Sequence, residues 1–160
     1  MKLALRIVAI LVILIQFIRP DRTNPPVDPS VELAAVVEVP AAVGSLLRAA
    51  CYDCHSNETA WPWYAHVAPM SWLVTNHVND GRRHLNFSDW GNYPPSRADH
   101  KLEEVVEYVE SGEMPLATYT PLHPEARLSE ADRQAIIAWA RTTRATLGVA
   151  GEEEHEEDED

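Results

Sequence analysis

Two cysteines and a histidine stand within five residues of one another, in the pattern Cys51-x-x-Cys54-His55. On a turn of helix, two thiols three positions apart can each add to one of the two vinyl groups along a porphyrin edge. The imidazole of the next residue then falls beneath the iron. Cys-x-x-Cys-His is the attachment pattern of c-type haem. It predicts one covalently bound haem c, with thioether bonds at Cys51 and Cys54 and His55 as the proximal iron ligand.

Two other interpretations of the cysteine pair are open. A zinc site would need two further ligands, and because the chain has only two cysteines these would have to be histidines. The candidates His66, His77 and His84 do not form the His-x3–5-His pair that such a site favours. A thioredoxin-like dithiol needs a strand before the motif and a helix after it, and the order here is reversed. The haem interpretation fits the pattern better than either.

The residue that fills the other axial position of the iron decides between electron transfer and ligand chemistry. Met114 is followed by Pro115, which prevents helical continuation and predicts an extended loop there. A thioether ligand would raise the reduction potential and close the iron to external ligands. Met114 is therefore the predicted distal ligand, whereas Met70 is predicted to pack within a helix. The competing imidazoles are His66, His77, His84, His100 and His123, of which His77 and His84 would share one helix face.

The elements that must position these residues are helices, because strand signals are nearly absent from the chain. The sequence thus predicts an all-α fold. Aromatic and proline-rich loops between the helices suit a flat apolar macrocycle, so Trp61, Trp63 and Tyr64 are predicted to line a haem pocket. The predicted helices run from Pro40 to the cysteine motif, from Pro69 to Arg83, from Ser96 or Asp99 to Gly112, and from Ser129 to Gly148.

The segment from Leu3 to Ile18 is apolar apart from Arg6 and Gln16. As a helix it reaches about 24 Å, short of the roughly 30 Å hydrocarbon core, although snorkelling or local thinning can make up the difference. No small-residue cleavage site follows it. Residues 1–19 are therefore predicted as an uncleaved signal anchor and transmembrane segment. The proline-containing residues 20–35 are predicted as a stiff linker between this anchor and the haem domain.

The 160 residues leave room for one domain, predicted over 36–148. The formal net charge is −12, from 25 acidic and 13 basic residues, and eight of the acidic residues lie in the last nine positions. Such a run is too charged to pack, so residues 149–160 are predicted as a disordered acidic tail. The acidic balance makes nucleic acid an unsuitable partner.

Several stretches together resemble the bacterial haem-binding domain family of small cytochrome-c-like proteins. The resemblance covers roughly Val36 to Leu147 and extends to the N-terminal anchor before the domain. The stretches are Cys-Tyr-Asp-Cys-His-Ser-Asn-Glu-Thr from Cys51, Trp-Pro-Trp-Tyr from Trp61, His-Leu-Asn-Phe-Ser-Asp-Trp from His84, and Gly-Glu-Met-Pro-Leu from Gly112, continuing through Tyr119 to Pro124.

This resemblance implies a class I cytochrome c fold wrapped around one haem. Cys51 and Cys54 would be the thioether sites, with His55 proximal and Met114 distal. Tyr119, within the last matching stretch, becomes a further pocket residue. In such a fold the first and last helices cross at a small residue packed against an aromatic one. Gly44 and Trp139 are the residues that fit this contact.

These observations predict a monohaem cytochrome c, anchored in the inner membrane with its haem domain in the periplasm. It would carry single electrons between redox partner proteins that the sequence does not identify, and it would not be an enzyme. A haem-based sensor or a peroxidase-like domain is the alternative, in which the sixth iron position is open or labile.

Overall fold

The computed structural model describes residues 1–157, with side chains to Gly148, and these residues form helices without any strand. The all-α prediction is confirmed for this part of the chain. Three short 3₁₀ helices join the α-helices at Trp63–His66, Phe87–Asn92 and Pro124–Ala126. The α-helices are α1 Lys2–Ile15, α2 Leu33–Val36, α3 Ala41–Ala50, α4 Tyr52–His55, α5 Met70–His84, α6 Pro95–Ser111 and α7 Glu130–Glu157.

The helix boundaries follow the turn and cap residues. Pro95 occupies the first turn of α6, where its missing N–H costs nothing and its fixed φ suits a helix, so α6 begins before the predicted caps Ser96 and Asp99. The same helix ends at Gly112, whose φ of 76° is left-handed and favours glycine. Ser129 and Asp132 cap α7 reciprocally: each backbone N–H donates to the other's side chain, at 2.9 and 3.2 Å.

The last helix, α7, continues past Gly148, its predicted end. The backbone of residues 149–157 is helical, where the sequence predicts a disordered tail. Glutamate and alanine have high intrinsic helix propensity and offset the cost of the glycines in this stretch. The rest of the predicted tail, residues 158–160, lies outside the described residues.

A single apolar core is built on the pairing of α6 with α7, to which α3 and the Phe87–Asn92 turn contribute. Leu102, Ile136 and Ile137 are almost completely buried at this contact. At about 25 cal/mol per Å² of apolar area, each such side chain contributes about 1.5–3 kcal/mol. The pairing of α6 with α7 holds the loop containing Met114, which follows directly after α6.

The first and last helices of the domain, α3 and α7, are in contact, but the predicted contact between Gly44 and Trp139 is absent. A Cβ built on Gly44 would meet only Val39 within 4 Å, at 3.7 Å, so Trp139 does not pack against this glycine. Trp139 is instead buried with its indole N–H donating to the carbonyl of Glu38 at 3.1 Å. The indole N–H thus binds a backbone carbonyl just before α3, and this hydrogen bond fixes the position of the Trp139 ring.

The apolar N-terminal segment forms α1, whose side chains are exposed from Leu3 to Leu14. Its 14 residues extend only about 21 Å at 1.5 Å per residue. No helix among residues 1–157 is both long enough and apolar enough to cross a membrane. The structure therefore does not support the transmembrane helix predicted over residues 1–19.

Residues 20–35, predicted as a linker, lie along the surface of the helical domain. The side-chain amide of Asn24 donates to the carbonyl of Thr59 at 2.9 Å, and its oxygen accepts from Arg82 at 2.8 Å. Leu33 of α2 is almost completely buried in the core. This segment is thus part of the domain and not a free spacer. Its other contacts join Arg22 to Ala65, Pro26 to Asn57, Asn24 to Trp61, and Val31 to Gly91.

Candidate functional site

A cavity of about 380 Å³ lies between the cysteine motif, α5, α6 and the loop after α6. This volume falls in the range of small-molecule and cofactor sites. Apolar side chains dominate its walls, as a macrocycle site requires. The structure brings five of the eight predicted site residues to this one cavity: Cys51, Cys54, His55, Met114 and Tyr119.

The cysteine motif forms a single turn of helix. Cys51, with φ −125°, separates α3 from α4, and its carbonyl accepts from the N–H groups of Cys54 and His55 at 3.1 and 2.9 Å. Both thiols are free and line the cavity. Burial raises the pKa of Cys51 to about 12 and that of Cys54 to about 11. A redox dithiol needs a lowered thiol pKa, so this environment does not suit the thioredoxin-like interpretation.

The imidazole of His55 is held through one of its two nitrogens. Nδ1 lies 3.0 Å from the carbonyl oxygen of Gly81 and 3.2 Å from that of Leu85. A nitrogen that faces two acceptors carries the proton, which leaves the lone pair of Nε2 free for a metal. Burial lowers the pKa of His55 and favours the neutral ring that a ligand must be. The ring thus has the orientation and the neutral, Nδ1-protonated form that an iron ligand needs.

Aromatic packing fixes the motif from behind. Tyr52, between the two cysteines, stacks on Phe87 with ring centroids 5.0 Å apart, and Phe87 meets the His55 ring edge-on at 6.5 Å. Phe87 is almost completely buried and also lines the cavity. The Tyr52 hydroxyl donates to the carboxylate of Glu32, which lies at the start of α2. These contacts limit the movement of the turn that carries the three predicted haem residues.

Gly81 allows α5 to approach the motif closely. A Cβ built there would lie 2.5 Å from the carbonyl oxygen of Cys54, a distance that real Cβ atoms essentially never show. The glycine therefore has a packing reason within a helix that would otherwise favour alanine. This proximity also brings the Gly81 carbonyl within reach of His55.

Replacing Gly81 by alanine should lower the free energy of unfolding by up to about 2 kcal/mol. Overpacking costs about 1–3 kcal/mol, and the gain in helix propensity offsets about 1 kcal/mol of this. Gly148→Ala is the matched control, because no atom among the described side chains lies within 4 Å of a Cβ built at that position. Thermal unfolding followed by circular dichroism should show a lower midpoint for Gly81→Ala and an equal or higher one for Gly148→Ala. Equal midpoints for both variants would contradict the packing role.

The Met114 loop is anchored by its backbone. The Met114 N–H donates to the carbonyl of Tyr108 at 3.0 Å, and its own carbonyl accepts from Arg133 at 3.3 Å. The same Arg133 nitrogen donates to the carbonyl of Val109 at 3.0 Å. Arg133 of α7 therefore ties the end of α6 to the loop. The Met114 side chain is half-buried and lines the cavity.

Tyr119 connects the later part of this loop to the cysteine motif. Its hydroxyl donates to the carboxylate of Asp53 at 2.7 Å, and its ring stacks on His123 with centroids 3.9 Å apart. Burial, together with the hydrogen bond to Asp53, raises the pKa of Tyr119, so the phenol stays protonated. The contact closes the cavity between the motif and the loop.

The other three predicted pocket aromatics do not line the cavity, and this part of the pocket prediction is corrected. Trp61 donates its indole N–H to Asn24 at 3.1 Å, on the outside of the motif. Trp63 is 77% exposed. Tyr64 hydrogen-bonds His123 at 2.7 Å, and His123 in turn stacks on Tyr119. Each ring has a polar or solvent contact that draws it away from the apolar interior.

Two of the competing imidazoles remain at the cavity, His77 and His84, both on α5. His66 and His100 are exposed, and His100 lies near the carboxylates of its own helix. Met70 is 40% exposed and lies outside the cavity, contrary to its predicted packing role. Among the described residues, no group of three or more His, Cys, Asp or Glu side chains is placed to hold a metal ion, so the structure gives the zinc interpretation no support there.

Sequence reasoning missed the backbone acceptors of His55 and a charged pair in the cavity wall. Lys101 is buried and donates to Glu104 at 2.7 Å, and both residues line the cavity. Their spacing of three positions on a helix is the one available signal for the pair. The carbonyls of Gly81 and Leu85 leave no signal, since every residue carries a carbonyl.

Comparisons with known proteins agree with this geometry. The family described as "Haem-binding domain" matches residues 10–142. Cytochrome c peroxidase of Escherichia coli (strain K12) is 28% identical over 121 residues, which are 72% of this chain and 25% of that protein. The chain thus spans about a quarter of the length of this curated relative. No solved structure matches the chain.

Proposed function

The chain belongs to the haem-binding domain family, and from the geometry of its cavity we propose that it is a monohaem c-type cytochrome that carries single electrons. Cys51 and Cys54 would form the thioether bonds, and His55 would be the proximal ligand. The observation that carries the proposal is the joint placement of two free thiols and an oriented neutral imidazole at one apolar cavity.

Each group at the cysteine turn has the state that covalent haem binding needs. The thiols are unpaired and lie along the cavity wall, where a porphyrin edge can reach them. The Nδ1 of His55 is fixed by the Gly81 and Leu85 carbonyls, which leaves the lone pair of Nε2 available to iron. The residues present therefore fit haem c.

On the distal side we propose Met114 as the sixth ligand in preference to His77 or His84. The two histidines are on α5, which also supplies the Gly81 carbonyl to His55, and so they share the proximal wall. The Met114 loop follows α6, a helix that packs little on α5 and so offers a separate wall of the cavity. An axial ligand opposite His55 must come from that side.

When bound, haem supplies a one-electron ferric/ferrous couple, whose potential depends on its axial ligands and burial. The chain's own residues set these conditions. Phe87, Val105 and Leu116 exclude water from the cavity walls. Arg133 holds the Met114 loop in position, and Tyr119 holds the motif and the loop together through Asp53. No proton transfer is required of any of them.

We further propose that the domain works on the periplasmic side of the inner membrane, attached through the apolar surface of α1. Two features support this location. Haem is joined to Cys-x-x-Cys-His motifs after export, and every apolar side chain from Leu3 to Leu14 is exposed in the isolated chain. Apart from Lys2 and Arg6, α1 has apolar residues on all its faces, and such a helix is stable in a membrane or in a buried core. The redox partners would be proteins reached from this surface.

The proposal is tested by producing the full chain together with haem-maturation machinery. The alkaline pyridine spectrum should show one haem c per chain, and haem should remain with the polypeptide on a denaturing gel. A gel without haem staining, or haem removed by acidic solvent, contradicts covalent attachment.

A peroxidase-like or sensor domain is the second candidate, favoured by the similarity to a cytochrome c peroxidase. The cavity also contains His77, Asp80 and His84, which are side chains of the type that general acid–base catalysis uses. Stopped-flow mixing of the ferrous protein with hydrogen peroxide and with carbon monoxide separates the two functions. A carrier with Met114 bound to the iron should react slowly with both, whereas rapid reaction favours the peroxidase-like or sensor function.

A further inference from the structure

The end of α1 is fastened directly to the haem domain. Gln16, the first residue after α1, accepts from the Ala68 N–H at 2.9 Å and donates to the Ala68 carbonyl at 3.1 Å. Two residues later the carbonyl of Ile18 accepts from the Trp72 indole at 2.8 Å. The Arg22 guanidinium then donates to the Ala65 carbonyl at 3.0 Å. There is thus no free chain between α1 and the domain.

The surface at this attachment is apolar and exposed. Trp63, Val67, Met70 and Leu73, which we call the apolar rim, are between 40% and 77% exposed. The rim residues alternate along the chain with the residues that contact the N-terminal segment, Ala65, Ala68 and Trp72. The rim therefore lies next to the point at which α1 leaves the domain. Phe17 and Ile18, which follow α1 in the chain, are also exposed.

We propose that the apolar rim lies in the interface of the same bilayer that receives α1, so that the haem domain rests on the membrane surface. This inference rests on the proposed attachment of α1 to the membrane. Gln16 follows Ile15, the last residue of α1, and one residue spans at most about 3.8 Å. The domain surface that binds Gln16 is therefore held beside the C-terminal end of α1.

The composition of the surface suits lipid in particular. An aromatic indole is favoured at the boundary between headgroups and acyl chains, and Trp63 supplies an almost fully exposed one. Apolar faces of interfacial elements enter this boundary to a depth of about 5–10 Å, which side chains of this size can reach. Exposed Arg19 and half-buried Arg22 add positive charge beside the rim, and anionic headgroups attract it.

The test uses the haem-loaded full chain in vesicles of phosphatidylethanolamine and phosphatidylglycerol. A single cysteine is introduced at Val67, or at exposed Thr142 on α7 as the control, because haem attachment occupies Cys51 and Cys54. A water-soluble maleimide should label Val67→Cys about tenfold or more slowly than Thr142→Cys, since lipid covers the rim. Adding Trp63→Ser, Met70→Ser and Leu73→Ser should restore fast labelling at position 67, whereas Val36→Ser, an exposed apolar change elsewhere, should not.

Equal labelling rates at positions 67 and 142 overturn the inference, as does slow labelling that survives the three serine changes. Slow labelling at position 67 that becomes fast when the protein is diluted in excess lipid also overturns the inference. In that case a second copy of the chain, and not lipid, would cover the apolar rim. Sedimentation with the vesicles is measured in the same samples. If the chain sediments with the vesicles but Val67→Cys is labelled fast, only this inference is wrong. If the chain does not sediment with the vesicles, the proposed attachment of α1 to the membrane is wrong as well.

Discussion

Replacing both Cys51 and Cys54 by alanine should abolish covalent haem, with complete loss of the haem-stained band on a denaturing gel. The two thiols are the only cysteines in the chain, so no other side chain can form the thioether bonds. Non-covalent haem bound through His55 should wash off in acidic solvent. Because a ligand that binds the native state stabilises it, the double variant should also unfold at a lower temperature than the haem-loaded protein.

Single changes refine this result. Cys51→Ala alone should leave one thioether bond and one unreacted vinyl group, which moves the pyridine haemochrome band to longer wavelength. Ser45→Ala is a suitable control, because Ser45 is on the same region of α3 and its hydroxyl only bonds the Ala41 carbonyl. Stained haem that persists on the gel in the double alanine variant would refute the proposed cysteine attachment.

Replacing Met114 by alanine should open the sixth coordination position. The ferric spectrum should change from low spin to high spin, and the ferrous protein should bind carbon monoxide. The reduction potential should fall by more than about 100 mV, a modest part of the roughly 0.8 V range that axial ligands control. Met70→Ala is the matched control, since this exposed methionine lies outside the cavity and should leave the spectrum and potential unchanged.

Replacing the histidines on α5 gives the result that would contradict Met114 as the distal ligand. If the spectrum of Met114→Ala stays low spin while His77→Ala or His84→Ala becomes high spin, an imidazole is the distal ligand. The fold would then have to bring α5 to both faces of the cofactor. The close packing of Gly81 on Cys54 opposes such an arrangement, because it fixes α5 against the motif.

Local signals in the sequence were sufficient for the end of α6 and the start of α7. Gly112 ends α6 because a left-handed residue is needed there, and the Ser129 and Asp132 pair starts α7, both as predicted. The same kind of signal placed the motif at the C-terminal end of α3. Such features depend on neighbouring residues and so can be recognised without the fold.

Long-range contacts could not be predicted in this way. Trp61, Trp63 and Tyr64 have the composition of a pocket, but the partners that turn Trp61 and Tyr64 away, Asn24 and His123, are 37 and 59 residues distant. The contacts of residues 20–35 with the domain could not be predicted for the same reason. Prolines indicate that a segment is locally stiff, but they do not indicate which residues it contacts. The helix of residues 149–157 shows that a strong charge run does not by itself decide against helix.

The contacts that fix the motif impose an order on maturation. His55 obtains its two carbonyl acceptors from residues 26 and 30 positions later, and Asn24 obtains Arg82 from 58 positions later. If the chain is exported as proposed, with its N-terminus leading, it would present Cys51 and Cys54 before α5 can close on them. Contacts of such sequence separation form late because loop closure precedes them. Under the proposed covalent attachment, haem would be joined to the open peptide in the interval between emergence of the cysteines and docking of α5, and docking would then enclose it.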